Sequence, residues 1–448
     1  MSIKDTIAAI ATPIGTAALA IIRVSGSESI INVNQIFKGK DLTKVKGSTV
    51  HYGHIIDDNQ IVDEVVVTVF KNPKSFTGED LVEITTHGGI LVTQKVLETI
   101  LKTNTRLANP GEFSQRAYLN QKIDLIQAES IMDIISATND QALRLANQSL
   151  NKQTSNLIKT LKNEILSMIS VIEVNIDYPE YDDTELVTTQ TIAAKVDDLI
   201  EKINHILINS QKSQLIHKGI KTAIIGKPNV GKSSLLNALI GESRAIVSDI
   251  AGTTRDTIDV VINLAGVTLN LIDTAGIRHS TDVIENIGIK RAKEMIESAD
   301  LILLVLDASQ PLDQYDQELL TLTQEKSRII IGNKKDLNQN MMLNNMLLIS
   351  TYTKEGLNTL ESEILKITKL DNFNDRDFNY LSNVRHIAKL KNTYQALLNV
   401  KANANLQTVV DILGLDLRTA YNELGDILGD NNYEGLLNEL FSKFCLGK

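Results

Sequence analysis

Residues 226–234 have the sequence GKPNVGKSS, which fits the pattern Gly-x-x-x-x-Gly-Lys-Ser/Thr. The apolar run Thr222–Ile225 stands immediately before this stretch, and the residues after it are typical of a helix. In a strand–loop–helix unit of this kind, the glycines let backbone N–H groups turn toward phosphate oxygens. We therefore expect Lys232 to neutralise the β- and γ-phosphates of a nucleotide, and the Ser233 hydroxyl to bind Mg²⁺.

Two further motifs at the ends of apolar runs indicate which nucleotide is bound. The run Leu269–Ile272 leads into residues 273–276 (DTAG), where a carboxylate reaches Mg²⁺ through water and a glycine amide contacts the γ-phosphate. The run Arg328–Ile331 leads to residues 333–336 (NKKD). The Asp336 carboxylate can accept hydrogen bonds from N1 and N2 of guanine, whereas adenine offers no matching donors. We therefore predict a GTPase that rejects ATP by roughly 10⁴-fold.

The residues that would hydrolyse GTP are less clear from these motifs. Residues 251–256 (AGTTRD) occupy the place of a loop that supplies a hydroxyl to Mg²⁺, and we assign that role to Thr254. Ras-like GTPases have a water-orienting Gln after the DTAG glycine, but this chain has Ile277. Arg278, His279 and Glu285 are the nearby candidates to act on the water. The spacing alone favours Glu285 as a charge at a helix N-terminus. The Asn229 amide oxygen can hold a monovalent cation beside the phosphates, in place of an arginine finger.

The elements around these motifs divide the chain into three kinds of segment. Strand-like runs alternate with turn residues near the N-terminus, at Ala17–Val24, Val65–Phe70 and Leu81–Thr85, before a helix at Ile90–Lys102. Residues 112–218 contain no glycine and show helical spacing, which resumes after about residue 372. Short apolar strands alternate with helices in between, as in a doubly wound, mostly parallel sheet. We predict a multidomain α+β and α/β protein, with an α+β domain at 1–117, a helical domain at 118–215 and 372–448, and an inserted Ras-like P-loop domain at 216–371.

Composition limits the classes of function. The chain has 448 residues, 43% hydrophobic and 22% charged, as expected for a soluble protein of several domains. A net charge of −10 argues against strong non-specific binding to nucleic acid or membranes, although a local basic face remains compatible with RNA. No apolar run is long enough to span a bilayer. The single Cys445 excludes an intramolecular disulfide, and we expect a cytoplasmic protein.

Further motifs make the sequence similar to the MnmE (TrmE) family of bacterial tRNA modification GTPases. They are FTGED at 76–80, THGG at 86–89, PGEFS at 110–114 and FCLGK at 444–448. The resemblance covers essentially the full length, including the inserted domain. It implies an N-terminal domain that binds folate and dimerises, a helical domain, and G domains that face each other across a homodimer.

The resemblance also implies an activity. Members of the family are K⁺-activated GTP hydrolases that work with the FAD-containing partner MnmG (GidA), in a heterotetramer or larger complex. Together they place an aminomethyl or carboxymethylaminomethyl group on C5 of the tRNA wobble uridine. The one-carbon source is 5-formyl- or methylene-tetrahydrofolate, and FAD is on the partner only.

The family's functional residues have counterparts in this sequence. Glu285 matches the water-orienting glutamate, so the resemblance favours the catalytic interpretation of that residue. The counterparts of folate-binding residues are Arg23, Glu79, Lys122 and Lys448. For the metal ions they are Ser233 and Thr254 for Mg²⁺, and Asn229, Ser248, Ile250 and Thr253 for K⁺. For GTP they are Asn229, Val230, Gly231, Lys232, Ser233, Ser234, Ser248, Asp249, Ile250, Ala251, Gly252, Thr253, Thr254, Asp273, Thr274, Ala275, Gly276, Asn333, Lys334 and Asp336.

Some alternatives remain open at this point. Without the resemblance, Arg23 is better explained as a strand-end cation, Glu79 as a turn acid and Lys122 as a helix-surface charge. Cys445 is either a small buried hydrophobe or a reactive thiol whose pKa is lowered by neighbouring lysines. Thr351 replaces the small Ala that usually stacks on the base. The alternative functions are a GTP-switched ribosome-assembly factor and a GTP-regulated scaffold without chemistry.

Overall fold

The protein folds into two compact units, Met1–Met132 with Gly425–Lys448, and Asp133–Leu424. No helix in the described part of the chain is both long and apolar enough to cross a membrane. The structure, a computed structural model, describes residues 5–177, 189–242, 258–264, 267–272, 293–341, 343–368, 379–405, 410–430, 434–445 and 447–448.

The first unit is built on a seven-stranded sheet with the order β3-β4-β5-β6-β2-β1-β7. Neighbouring strands are antiparallel, except for the parallel pair β1 and β7. The strands are β1 (Thr6–Ile10), β2 (Leu19–Ser25), β3 (Phe37–Lys38), β4 (Thr49–Asp57), β5 (Gln60–Phe70), β6 (Leu81–His87) and β7 (Thr105–Leu107).

One face of this sheet carries the core of the first unit. Successive side chains of a strand point to opposite faces, and in β5 the buried set is Val65, Val67 and Val69. These valines share one apolar cluster with Val96 and Ile100 from the covering helix Ile90–Leu101. The helices of the unit are α1 (Ser29–Ile36), α2 (Ile90–Leu101), α3 (Glu112–Leu119), α4 (Leu125–Ser136), which ends beyond it, and α13 (Glu434–Ser442).

The second unit contains a six-stranded sheet with the order β13-β12-β11-β8-β10-β9. Its strands pair in parallel, except that β9 is antiparallel to β10. This is the predicted doubly wound, mostly parallel sheet. The strands are β8 (Ile220–Ile225), β9 (Ile258–Leu264), β10 (Val267–Ile272), β11 (Leu301–Asp307), β12 (Arg328–Asn333) and β13 (Met346–Leu348).

Long helices fill the rest of the second unit. Helix α6 buries Ile158, Leu161, Ile165, Ile169 and Ile172, at the three- and four-residue spacing of one helix face. Helix α11 packs against α7, so two helices on either side of the inserted sheet in sequence lie together. The helices are α5 (Asp140–Leu150), α6 (Gln153–Asp177), α7 (Thr189–Lys218), α8 (Lys232–Glu242), α9 (Gln314–Leu322), α10 (Leu357–Ile367), α11 (Val384–Asn405) and α12 (Val410–Leu428).

The multidomain α+β and α/β fold is therefore confirmed, while the exact domain limits stay a prediction. Helix α5 is hydrogen-bonded to strand β10 of the second sheet through polar side chains. The Asn139 side-chain oxygen caps α5 by accepting from the Ala142 N–H at 2.7 Å. Its side-chain nitrogen donates to Thr268 Oγ1 on β10 at 2.7 Å.

Candidate nucleotide-binding site

The phosphate-binding loop connects β8 to α8 at the predicted position. Two of its glycines are required by close contacts. A Cβ at Gly226 would lie 2.2 Å from the Val305 carbonyl oxygen, and one at Gly231 would lie 2.1 Å from Asn333 Nδ2. Gly231 has φ +99° and Asn229 has φ +66°, values that a glycine and an asparagine adopt more readily than other residues. The loop therefore has the tight backbone turn that phosphate-binding loops require.

Lys232 closes this loop from within. Its Nζ donates to the carbonyl oxygens of Gly226 and Lys227, both at 2.7 Å. Burial lowers the pKa of Lys232 to about 8, because few nearby groups compensate for the lost hydration of the ammonium. A phosphate group beside Nζ would supply the missing negative charge. The site is therefore built to receive an anion.

Lys227 anchors the outer side of the loop. Its Nζ lies 2.8 Å from Asp313 Oδ2 and 2.8 Å from Asp316 Oδ2, at the capped N-terminus of α9. Burial by itself would lower the pKa of Lys227, but the hydrogen bonds and charges of these two carboxylates raise it. The Lys227 charge is thus neutralised by protein carboxylates, and its main chain remains to hold Lys232.

Asn333 joins the predicted base-binding motif to the phosphate loop. Its Nδ2 donates to the Val230 carbonyl oxygen at 2.8 Å, and its Oδ1 accepts from the Thr351 N–H at 3.1 Å. Asn333 is buried, so both halves of its amide are satisfied within the protein. The neighbouring Lys334 has φ +67° and its Nζ lies 2.6 Å from Asp307 Oδ2.

Asp336, the residue predicted to bind guanine, is exposed and oriented by a serine. Ser350 Oγ donates to Asp336 Oδ1 at 2.6 Å and accepts from the Thr353 N–H at 3.1 Å. One carboxylate oxygen is thereby fixed while the side chain stays accessible. Sequence reasoning missed the roles of Ser350 and Asp307. The available signals were a hydroxyl in the segment ending at Thr351 and an acid ending an apolar run.

Many predicted residues lie outside the described residues, and their roles stay predictions. Among described residues, no group of three or more His, Cys, Asp or Glu side chains could hold a metal ion. The Ser233 hydroxyl beside Lys232 fits a Mg²⁺ ion that takes its other ligands from phosphates and water. The predicted residues outside the described ranges are Ser248, Asp249, Ile250, Ala251, Gly252, Thr253, Thr254, Asp273, Thr274, Ala275, Gly276, Ile277 and Glu285.

The first unit groups two of the predicted folate-binding residues at the end of the chain. Arg23 Nε lies 2.7 Å from Glu83 Oε1, and one of its terminal nitrogens donates to the Gly447 carbonyl oxygen at 3.2 Å. The Arg23 guanidinium carbon is 5.7 Å from the centre of the Phe76 ring. Burial, followed by the Arg23 charge, lowers the pKa of Lys448, although Cys445 acts in the opposite direction.

The other two predicted folate residues flank the loop that contains Phe76. Glu79 accepts from Ser25 Oγ at 2.8 Å and pairs with Arg116 at 3.2 Å. Gly78, with φ +78°, leaves room for the Lys122 stem, since a Cβ there would lie 3.0 Å from Lys122 Cγ. The structure thus places Arg23, Glu79 and Lys122 at the loop that contains Phe76. Folate binding by these residues and Lys448 remains a prediction.

Cys445 is exposed, so the interpretation as a small buried hydrophobe is wrong. Its carbonyl oxygen accepts from the Lys448 N–H at 3.2 Å and the Gly111 N–H at 3.4 Å. Gly111 has φ +71°, and a Cβ on it would lie 2.2 Å from the Phe441 carbonyl oxygen. The segment that carries the thiol is therefore held against the start of α3 by main-chain contacts.

The comparisons with known proteins agree with this arrangement. A family model described as the MnmE helical domain matches residues 125–445, and one described as the GTP-binding protein TrmE N-terminus matches residues 6–122. The chain is 61% identical over 445 residues to the tRNA modification GTPase MnmE of Acholeplasma laidlawii, covering 99% of each chain. It is 52% identical over 458 residues to the protein of the same name from Aster yellows witches'-broom phytoplasma, again covering 99% of each.

Solved structures also match part of the chain. The G domain of the T. maritima FeoB iron transporter is 26% identical and covers 33% of this chain and 98% of its own, with a TM-score of 0.25. An Era variant from Aquifex aeolicus, bound to GDP and AlF4−, is 28% identical and covers 40% of this chain and 67% of its own, with a TM-score of 0.26.

Proposed function

This chain belongs to the MnmE family of tRNA modification GTPases and is a GTP hydrolase; from that premise we propose that GTP hydrolysis drives modification of C5 of the tRNA wobble uridine. The modification is an aminomethyl or carboxymethylaminomethyl group. The identity of 61% along nearly the whole length of a named tRNA modification GTPase supports the assignment.

The observation that carries the proposal is the bonded connection between the two ends of the nucleotide site. Lys232 lies at the end of the site assigned to the phosphates, and Asp336 lies at the end assigned to the base. Asn333 donates a hydrogen bond to the main chain near Lys232. A nucleotide that satisfies Asp336 therefore places its phosphates on a loop of fixed geometry. Positioning and charge stabilisation are what phosphoryl transfer to water chiefly requires.

We assign the metals and the water-orienting group by the family's pattern. Ser233 and Thr254 bind Mg²⁺, and Glu285 orients the attacking water. Asn229 lies exposed in the loop with φ +66°, where its amide oxygen suits a monovalent cation. K⁺ would be held there by Asn229, Ser248, Ile250 and Thr253, and its charge would stabilise the transition state. Replacing K⁺ by Na⁺ should then slow hydrolysis strongly, and an unchanged rate would sink the cation assignment.

The charges of the first unit suit a reduced folate. The cations Arg23, Lys122 and Lys448 match the glutamate carboxylates of such a molecule, and Glu79 matches the N–H donors of a pterin ring. The bound folate would supply the one-carbon unit. The protein acts as a homodimer with the flavoprotein MnmG, in a heterotetramer or larger complex, and the partner's FAD supplies the redox chemistry.

Mass spectrometry of the wobble uridine tests the proposal in cells. A strain without its own MnmE, given the gene for this chain, should regain the C5 modification, whereas Glu285→Ala should not restore it although it still binds GTP. Asp336→Asn should bind xanthosine nucleotides better than guanosine ones, because an amide donor pairs with the second carbonyl of xanthine. Persistence of the modification in the empty strain would favour the ribosome-assembly or scaffold alternatives.

A further inference from the structure

Five lysines of the first unit form a feature that the nucleotide and folate sites do not use. We call Lys38, Lys40, Lys46, Lys71 and Lys74 the basic edge. Lys38 ends the edge strand β3, opposite His54 of β4, and Lys71 follows the last residue of β5. All five are exposed except the half-buried Lys71. In a chain with a net charge of −10, this local excess of positive charge stands out.

The lysines of the basic edge differ from the three arginines Arg23, Arg106 and Arg116 of the same unit, which all form ion pairs. Arg106 and Arg116 pair with Asp5 and Glu112, and Arg23 pairs with Glu83. Over the described part of the chain, none of the five lysines forms an ion pair.

The acids that lie near these lysines in sequence form no ion pair with them in the described part of the chain. Asp41 pairs with Lys44, and Asp57 pairs with Lys102. Asp80 accepts from the Asn72 N–H, and Glu64 lies opposite His54. The positive charge of the basic edge is therefore available to an anionic partner.

Three of these lysines are close in space. A Cβ placed on Gly47 would lie 3.2 Å from Lys71 Cβ, so the residue after Lys46 packs on the Lys71 stem. The Lys74 N–H donates to the Lys71 carbonyl oxygen at 2.8 Å. Long, flexible ammonium groups at neighbouring positions suit a chain of phosphates, which presents repeated negative charge without demanding fixed geometry.

The same surface adjoins the predicted folate residues. Lys122 Nζ donates to the carbonyl oxygen of Pro73 at 3.0 Å, and Pro73 lies between Lys71 and Lys74 in the sequence. We propose that the basic edge binds the phosphate backbone of the tRNA and guides it past the folate-binding loop. The inference rests on the proposed function, since it assigns where that substrate is held. Contacts of this kind set the position of an RNA without reading its sequence.

A charge-neutralising variant tests the proposal in the full-length protein. The variant Lys46→Gln, Lys71→Gln, Lys74→Gln is compared with Lys95→Gln, Lys159→Gln, Lys391→Gln, which removes the same charge from exposed lysines elsewhere. Binding of fluorescent tRNA is measured by anisotropy over a range of KCl concentrations. GTP hydrolysis in K⁺ serves as the check on folding, and both variants should match the wild type there.

The salt dependence gives the decisive readout. The slope of log K against log salt is negative, and each lost phosphate contact reduces its magnitude by about 0.7 to 0.9. The basic-edge variant, which lacks three lysines, should therefore have a slope shallower by about two. Its affinity at low salt should fall at least tenfold, whereas the control should retain wild-type slope and affinity. Equal behaviour of the two variants would overturn the proposal while leaving the proposed function intact. Failure of the wild type to bind tRNA would instead count against both.

Anionic lipid vesicles distinguish the other class of phosphate surface. The wild type should bind phosphatidylglycerol vesicles no better than the basic-edge variant. If the variant lost vesicle binding but kept its tRNA affinity, the basic edge would be a membrane contact, and the RNA assignment would be wrong.

Discussion

Asn333 Nδ2 lies 2.8 Å from the carbonyl oxygen of Val230, so the loop proposed to select the base is hydrogen-bonded to the loop proposed to bind the phosphates. The other end of the same amide accepts from the Thr351 N–H. A single buried side chain therefore fixes three loops with respect to one another. Recognition of the base and placement of the phosphates are consequently not independent properties of this site.

Removing the Asn333 amide should weaken nucleotide binding and lower the stability of the protein. Asn333→Ala leaves the Val230 carbonyl and the Thr351 N–H without their partner, which costs about 1–3 kcal/mol of stability per buried group. We expect GDP to bind at least roughly tenfold more weakly, as each 1.4 kcal/mol corresponds to a factor of ten. Fluorescent-GDP titration and thermal unfolding measure the two effects. Asn340→Ala, which removes an exposed hydrogen bond to Ser309, is the matched control; equal losses would contradict the bridging role.

Ser350 should matter for the base and not for the chemistry. Ser350→Ala removes the hydrogen bond to Asp336 Oδ1 and frees that carboxylate to rotate. A hydrogen bond to a charged group contributes about 1.5–3 kcal/mol, so GDP and GTP should both bind at least roughly tenfold more weakly, with kcat unchanged. Steady-state kinetics with nucleotide titrations separate the two quantities. A loss confined to GTP would show that Ser350 acts at the phosphates; Ser362→Ala controls for the removal of an exposed serine.

Nucleotide binding should change the protonation of Lys232. Its pKa of about 8 in the free protein lies below that of an ordinary lysine, and phosphates beside it should raise the value again. At pH 8.5, binding of GDP should therefore take up protons, and at pH 6.5 it should not. Calorimetry in buffers of different ionisation enthalpy counts these protons. In the free protein the unfolded state binds more protons between about pH 8 and 10.5, so stability should rise with pH across that window. Lys232→Met should abolish both effects.

Arg116 should be the cation on which the first unit depends most. It is 1% exposed and pairs with Asp5, Glu79 and Glu112 at 2.8, 3.2 and 2.9 Å. Arg116→Met removes the cation that pairs with Glu79 and leaves Glu112 paired with Arg106 alone. Breaking a buried ion pair from one side costs about 3–5 kcal/mol. Arg106→Met is the control, because Arg106 is 42% exposed and contacts two of the same acids. Hydrogen exchange of the α3 amides should accelerate far more in Arg116→Met; equal acceleration would contradict this ranking.

The sequence predicted the strands that carry the nucleotide motifs because each is a short apolar run that ends at a polar motif. Strand β4 was not predicted, since His51, Gly53 and His54 interrupt its apolar alternation. Strand β9 was missed as well. Only two residues separate it from β10, which allows only an antiparallel pair, and the predicted strands of that region did not include it.

The site itself was predictable as far as its motifs extend. Asn333, Lys334 and Asp336 stand in a fixed spacing after a strand, so their positions follow from the sequence. The partners Ser350, Asp307 and Asp316 do not, because a single hydroxyl or carboxylate at the end of an element is common. Only the tertiary structure decides which lysine or carboxylate each one meets.

The shared amide of Asn139 has a practical consequence for measuring motion. Its oxygen caps α5 and its nitrogen binds Thr268, and a flip of the amide would exchange the two atoms and break both bonds. The start of α5 and the start of β10 are therefore linked through one side chain. A spectroscopic label on the exposed Asn147 of α5 would report the orientation of the nucleotide-binding sheet. No probe would then be needed on the loops proposed to contact GTP.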